Sequence, residues 1–192
     1  MYSMAVRPVV KAGNLAAKRA APVEDFENPE LKILVQDLCD TMVAAHGVAI
    51  AAPQIGVDLQ VIVVGNSRSR RYPEKEGLPL IAIMNPDIEA IDATPETDFE
   101  GCLSVSGRQG KVPRYKTVLC TGFDIEGNPL VLEATGFRAR ALQHACDILN
   151  GVLFTSYVKK DELLPLREGE IVGDPSRSEV RKKTNSGEAP KP

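Results

Sequence analysis

The sequence predicts an α+β fold, and three observations carry that reading. An amphipathic helix pattern stands near the N-terminus, short strand patterns fill the middle, and a second helix pattern follows them. Helices and strands do not alternate, so a doubly wound sheet is not expected. The architecture predicted is mixed, mainly antiparallel strands around the C-terminal helix, with one further helix at the N-terminal side.

The first helix begins at Asn28-Pro29, where Asn28 suits the N-cap and Pro29 the first helical position. Leu31, Leu34, Val35, Leu38, Met42 and Ala45 fall at helical spacing, and Gly47 ends the run. Gln60 to Val64 reads as a buried strand. Leu80 to Met84 and Asp87 to Ala93 read as a strand pair broken at Asn85-Pro86, after a charged loop from Arg68 to Gly77. Val112 to Thr121 is the next strand, and Gly127-Asn128-Pro129 turns the chain toward Leu130 to Glu133. Thr135 then caps a second helix running through Phe137, Ala141, His144 and Ile148 to Gly151.

The chain has 192 residues, 43% of them apolar, which is enough for one domain with a core of its own, expected over residues 1–173. Residues 174–192 are rich in Pro, Ser, Lys and Gly and are expected to be a disordered tail. Its Arg181-Lys182-Lys183 stretch reads as solvated charge. A net charge of -3 gives no general pull toward nucleic acid or anionic membrane, and no apolar run reaches membrane-spanning length. Cys39, Cys102, Cys120 and Cys146 are scattered without CxxC spacing, which argues against a disulfide framework and for a reducing cytoplasm. An organelle reached by a removed targeting segment is the other option. Oligomeric state leaves no sign in the sequence.

Three segments carry chemistry. Gly47-Val48-Ala49-Ile50-Ala51-Ala52-Pro53-Gln54 combines small residues, past which a ligand backbone could approach, with the amide donor of Gln54. On its own it reads as a tight helix-to-strand connection. Glu100-Gly101-Cys102-Leu103-Ser104 places a thiol beside glycine and a carboxylate. Cys102 as thiolate suits zinc or ferrous iron, and the backbone N–H of Leu103 suits an oxyanion. Alone, such a cysteine is more often a small buried hydrophobe. Gln143-His144-Ala145-Cys146-Asp147-Ile148 lies where a metal-hydrolase helix would read His-Glu-x-x-His.

With these three segments in this order, the chain resembles the peptide deformylases from about Val6 to Leu164. In that family the first motif reads roughly Gly-apolar-Gly-apolar-Ala-Ala-Pro-Gln, the second Glu-Gly-Cys-Leu-Ser, and the third Gln-His-Glu-x-Asp-His-Leu. The second matches unchanged, Val112-Pro113-Arg114 also fits, and Ala49 departs from the family's glycine. The resemblance implies a peptide-deformylase-like fold and removal of formyl from the N-terminal formyl-methionine of new polypeptides with a ferrous or zinc ion. It puts the metal ligands on Cys102 and His144 and the oxyanion donors on Gln54 and the Leu103 N–H. Substrate pairing falls on Gly47, Val48 and Ala49, with Gly101 beside them. Asp147 is implied to pair with Arg114 and orient the helix, and Glu100 to support the ligands from behind.

Two groups of the family are missing. Ala145 replaces the Glu that carries the proton, and Ile148 replaces the third metal ligand. A catalytic mononuclear site needs three protein ligands and an open position. The other histidine, His46, sits at the edge of the first motif. Cys146 lies roughly 200° around the helix from His144, and Asp147, about 60° away, is the expected partner of Arg114. A general acid–base contributes on the order of 10²–10⁴-fold in rate, roughly 3–5 kcal/mol of barrier. Ile148 gains about 1.5–3 kcal/mol by burial, and alanine is a strong helix former. The expectation is a deformylase-fold protein with impaired or absent activity, with no metal or a weakly held divalent one. It would keep a binding role toward the N-terminal peptide of a nascent or processed polypeptide, without a membrane or specific nucleic acid partner. The alternative is an active hydrolase with a substituted metal site.

Overall fold

Along strand β2 (Val61–Val64), all four residues are buried, and they point alternately into two different cores. Ile62 and Val64 pack with the second helix, α2 (Gly136–Leu149), whereas Val61 and Val63 pack with the first, α1 (Pro29–Ala44). The period-two alternation of a strand thus makes a sheet with one helix on each face. The structure is a computed structural model, and it describes residues 5–15, 18–65, 72, 78–166 and 170–172. The sheet runs in the order β1 (Ala49–Ala51), β2, β3 (Ile81–Cys102), β4 (Val105–Phe123), β5 (Pro129–Thr135), all antiparallel, with the short β6 (Leu164–Pro165) added to β4. The α+β expectation is met.

Asn28 caps α1 through its side chain, which accepts from the Glu30 N–H at 3.0 Å. The end of α1 differs from expectation. The residue that turns left-handed is His46 (φ 52°), not Gly47. The N–H of His46 returns to the Val43 carbonyl and that of Gly47 to the Met42 carbonyl, closing a Schellman motif. What requires glycine at 47 is close approach: a Cβ there would stand 3.2 Å from Leu103 and from Met42 side chains.

Asn85-Pro86 does not separate two strands. β3 is one strand whose register against β4 shifts between Met84 and Asp87. Asn85 takes a positive φ of 49°, and its amide exchanges two hydrogen bonds with the Val23 backbone, at 2.7 and 2.9 Å. A side chain satisfying the backbone explains how the strand survives the irregularity. Thr135 is the N-cap residue of α2 but makes no side-chain cap; its Oγ1 donates to the Lys116 carbonyl instead. The C-terminal end behaves as expected, with Gly151 at φ 74° and bonds from Gly151 N–H to Ile148 and from Val152 N–H to Asp147. Most of the predicted loop from Arg68 to Gly77, and the tail from 174 onward, lie outside the described residues.

Candidate active site

β3 and β4 form a long hairpin, and its tip carries the second motif. Cys102 pairs with Val105, so Leu103-Ser104 is a two-residue turn. Facing this tip are the first motif, comprising β1 and the 3-10 turn Ala52–Ile55, and α2. The N-terminal segment ties the first two motifs together: Val10 N–H donates to the Gln54 carbonyl and Ala12 N–H to the Ser104 carbonyl, both at 2.8 Å.

Gln54 is buried and held at both ends. Its Oε1 accepts from the Ala51 N–H at 3.0 Å, while Nε2 donates to Ser104 Oγ at 3.1 Å and lies 3.6 Å from Cys102 Sγ. The amide donor therefore stands beside the thiol. His144 reaches the same place from α2, with its Nδ1 2.9 Å from Glu100 Oε2. Gly47, Val48, Ala49 and Gly101 line one cleft together with Leu103 and His144, so the structure brings together the residues expected around a substrate.

Behind His144 lies an ion cluster centred on Glu100. Oε1 accepts from Arg114 Nε (2.8 Å) and Arg140 Nη1 (2.9 Å), and Oε2 accepts from Arg114 Nη2 (3.0 Å). Arg114 also reaches Asp147 through Nη1 at 2.5 Å and stacks on Tyr157. This bidentate pairing satisfies the buried charges on both sides. Burial would raise the Glu100 carboxyl, but hydrogen bonds from Arg114 and His144, with their charge, hold it at about 2. Burial would lower the His144 ring, but Cys102 and Glu100 lift it to about 10. Burial would raise the Cys102 thiol, and His144 with the Ser104 and Val105 backbone brings it below its ordinary value.

Arg140 is a member of the cluster that the sequence motifs do not single out. It is 4% exposed and donates to Glu100, to the Val112 carbonyl at 2.7 Å and to the Glu96 carbonyl. A signal for it exists: a cation one turn before His144, on the helix face that meets Glu100. Gln143 is likewise structural, exchanging two hydrogen bonds with the Tyr115 backbone on β4.

Ala145 and Ile148 are packed in the core, 0% and 2% exposed, in a cluster that includes Cys102. Among the described residues, no three His, Cys, Asp or Glu side chains are grouped to hold a metal ion. Both oxygens of Glu100 are committed, Asp147 is bound by Arg114, and Cys146 opens onto a separate cavity of about 290 Å³ on the other side of α2. Glu133 is exposed on β5. Cys102 and His144 are thus two donors of the kind such a metal uses, and these residues do not complete a three-ligand set.

Known proteins resemble the chain over most of its length. The profile of the polypeptide deformylase family matches residues 6–163. Peptide deformylase 2 of Ralstonia nicotianae is 46% identical over 155 residues, covering 80% of this chain and 88% of that protein. Peptide deformylase 1 of Nitrosomonas europaea is 44% identical over 150 residues, covering 78% and 85%. Among solved structures, a class I type b peptide deformylase from Acinetobacter baumannii with Met-Ala-Ser bound superimposes with a TM-score of 0.76 at 34% identity. That match covers 81% of this chain and 100% of the other. The peptide deformylase of Thermus thermophilus gives a TM-score of 0.69 at 34% identity, covering 82% and 88%. With the family profile matching residues 6–163 and a relative 46% identical over 155 residues, the chain belongs to the polypeptide deformylase family.

Proposed function

We propose that this protein binds the formylated N-terminus of polypeptides in the cleft between the Gly47–Gln54 segment and α2, and that its deformylase activity is weak or absent. The observation that carries the reading is the burial of Ala145 and Ile148 as core residues at the two positions where the family places its proton carrier and third ligand. The oxyanion role of Gln54 and Leu103 is supported by the Gln54 amide standing 3.6 Å from Cys102 Sγ and by Leu103 lining the cleft. The binding role is supported by the cleft itself, and by the relative from Acinetobacter baumannii whose structure holds Met-Ala-Ser. Four free thiols suit a reducing compartment, and the cytoplasm, where new chains emerge, is the proposed site of action.

A second reading, a working hydrolase with a substituted metal site, is favoured by one observation. The two donors that remain, Cys102 and His144, both stand at the hairpin tip, Cys102 beside the Gln54 amide at 3.6 Å and His144 on Glu100 at 2.9 Å. One experiment separates the two. Purified full-length protein is assayed for bound iron, nickel and zinc, for affinity toward formyl-Met-Ala-Ser, and for release of formate. Peptide binding with little metal and little formate is expected. Stoichiometric metal with turnover overturns the impaired reading, and failure to bind the peptide overturns the binding role.

A further inference from the structure

Beside α1 lies a groove of about 280 Å³ that shares no lining residue with the cleft described above. That is close to the lower end of ligand pockets, about 300 Å³, so it has room for a few side chains and not for a domain. Its floor is apolar: Val23, Leu31 and Leu34 come up from the core, with Val57 and Leu59 beside them. On α1, Glu30, Ile33, Leu34 and Asp37 fall at i, i+3, i+4 and i+7, so one helix stripe carries apolar residues between two carboxylates. Ile33 is 51% exposed, an apolar side chain left half in water on the groove wall. The loop before α1 adds the exposed Glu24 and Asp25 to the lining.

The two ends of the stripe differ in charge. Asp37 already holds a cation, because Arg7 of the N-terminal segment lays a guanidinium nitrogen on it at 2.9 Å. Glu30, at the other end, has no cation beside it among the described residues, and neither have Glu24 and Asp25. Glu30 also suits the first turn of α1 through the helix dipole, a role that needs no ligand. Glu24 and Asp25 stand outside the helix and have no such role.

We propose that this groove docks a basic segment of another protein, one in which apolar side chains stand next to lysine or arginine. The apolar side chains cover Ile33 and the Leu31–Leu34 floor, and the cations take the Glu24, Asp25 and Glu30 carboxylates as Arg7 takes Asp37. The same carboxylates repel phosphate, so this face does not suit nucleic acid or an anionic membrane. Apolar burial holds the segment, while the rim charges steer it in and select against acidic partners. A contact confined to this groove is a transient one, below the roughly 1,200 Å² of a standard interface.

The test measures binding of the full chain to three labelled peptides by fluorescence anisotropy: Gly-Lys-Leu-Val-Lys-Gly, Gly-Glu-Leu-Val-Glu-Gly and Gly-Lys-Ser-Ser-Lys-Gly. Saturable binding of the first alone is expected, weakening as salt is added. Ile33→Gln should weaken it on the order of tenfold and Glu24→Lys several-fold, both at exposed positions where folding is not at stake. Glu133→Lys, the same charge change on β5, should leave it unchanged. No saturable binding, equal binding of all three peptides, or binding indifferent to both Ile33→Gln and Glu24→Lys overturns the proposal. Two other occupants are separated by the same measurements. If changing Arg181, Lys182 and Lys183 together to glutamate tightens the peptide, the groove is held by the chain's own tail, which lies outside the described residues. If Ile33→Gln dissolves a dimer seen by sedimentation, it is held by a second copy. Either result overturns the assignment to a partner protein.

Discussion

Two adjacent faces of α2, with Ile148 only about 40° around the helix from His144, have been treated in opposite ways. On one, Gln143, His144 and Asp147 each reach a partner on another element: the Tyr115 backbone, Glu100 and Arg114. On the other, Ala145 and Ile148 present no polar atom and sit in the core with Ala51 and Cys102. Placing a helix and giving it chemistry are therefore separable tasks. The placing residues are locked to charges that lie outside the helix, so each loss strands a buried partner. A proton carrier or a metal ligand is expensive to bury and has value only while a reaction uses it. Apolar replacements at those positions relieve that cost and add packing.

The largest effect should come from breaking the wired face. Arg114→Ala takes from Asp147 its cation and leaves Glu100 with only Arg140 and His144 of its three basic partners, and one-sided removal of a buried ion pair costs about 3–5 kcal/mol. Urea unfolding measures it, and a loss below about 1 kcal/mol, the worth of a surface pair, would mean the cluster does not position α2. The same face predicts an acid dependence. The folded value of Glu100 is depressed, from an ordinary 4.5 to about 2. The ionised carboxylate's stabilisation is therefore complete above about pH 4.5 and is lost as pH falls toward 2. Glu100→Gln should flatten that part of the stability–pH curve, although it lowers stability at neutral pH.

Next in size is re-equipping the packed face. Ile148→His offers a third ligand opposite Cys102 and should raise metal content without turnover, read by elemental analysis and by a metal-dependent rise in melting temperature. Adding Ala145→Glu should then raise formate release on the order of 10²–10⁴-fold over Ile148→His alone. If the folded double variant takes up no metal, the Cys102–His144 side has drifted further than two side chains.

The legible and illegible parts of the sequence divide along the same line. Element types are readable because their signals are local: Asn28 before Pro29, the apolar spacing of α1, the all-apolar β2, and Gly151 after α2. The Arg114–Asp147 contact follows from the resemblance, and its residues are 33 positions apart in the chain, beyond any periodicity argument. Arg140 is easily passed over because a cation on a helix is usually solvated, and its one sequence signal, a place one turn before His144, does not announce that Glu96 and Val112 will close around it as well as Glu100. Asn85-Pro86 misleads for the opposite reason. Its local signal is a break, but the bonds of Asn85 to Val23, far away in sequence, hold the strand together. His46 takes a left-handed conformation with Gly47 next to it because position 47 is the one with no room for a side chain.

A smaller change sharpens how well the packed face is packed. Ile148→Val removes one methylene from a position 2% exposed and should cost about 0.5–1.5 kcal/mol. A cost near zero would mean that the Ile148 site retains the looseness of an emptied cleft.

The smallest effect expected is at the start of α2. A helix held from its side by Gln143, His144 and Asp147 does not depend on its cap, and Thr135 supplies none: its hydroxyl bonds across to Lys116 and Thr117 in an exposed part of the sheet. Thr135→Ala should therefore cost no more than a few tenths of a kcal/mol, the ordinary range for exposed substitutions. Asn28→Ala, which removes a formed cap from α1, should cost about 1 kcal/mol. Urea unfolding of the two variants side by side makes the comparison. If Thr135→Ala proves the more damaging, α2 is anchored at its end rather than along its polar face, and the ion cluster around Glu100 loses its standing as what sets His144 in place.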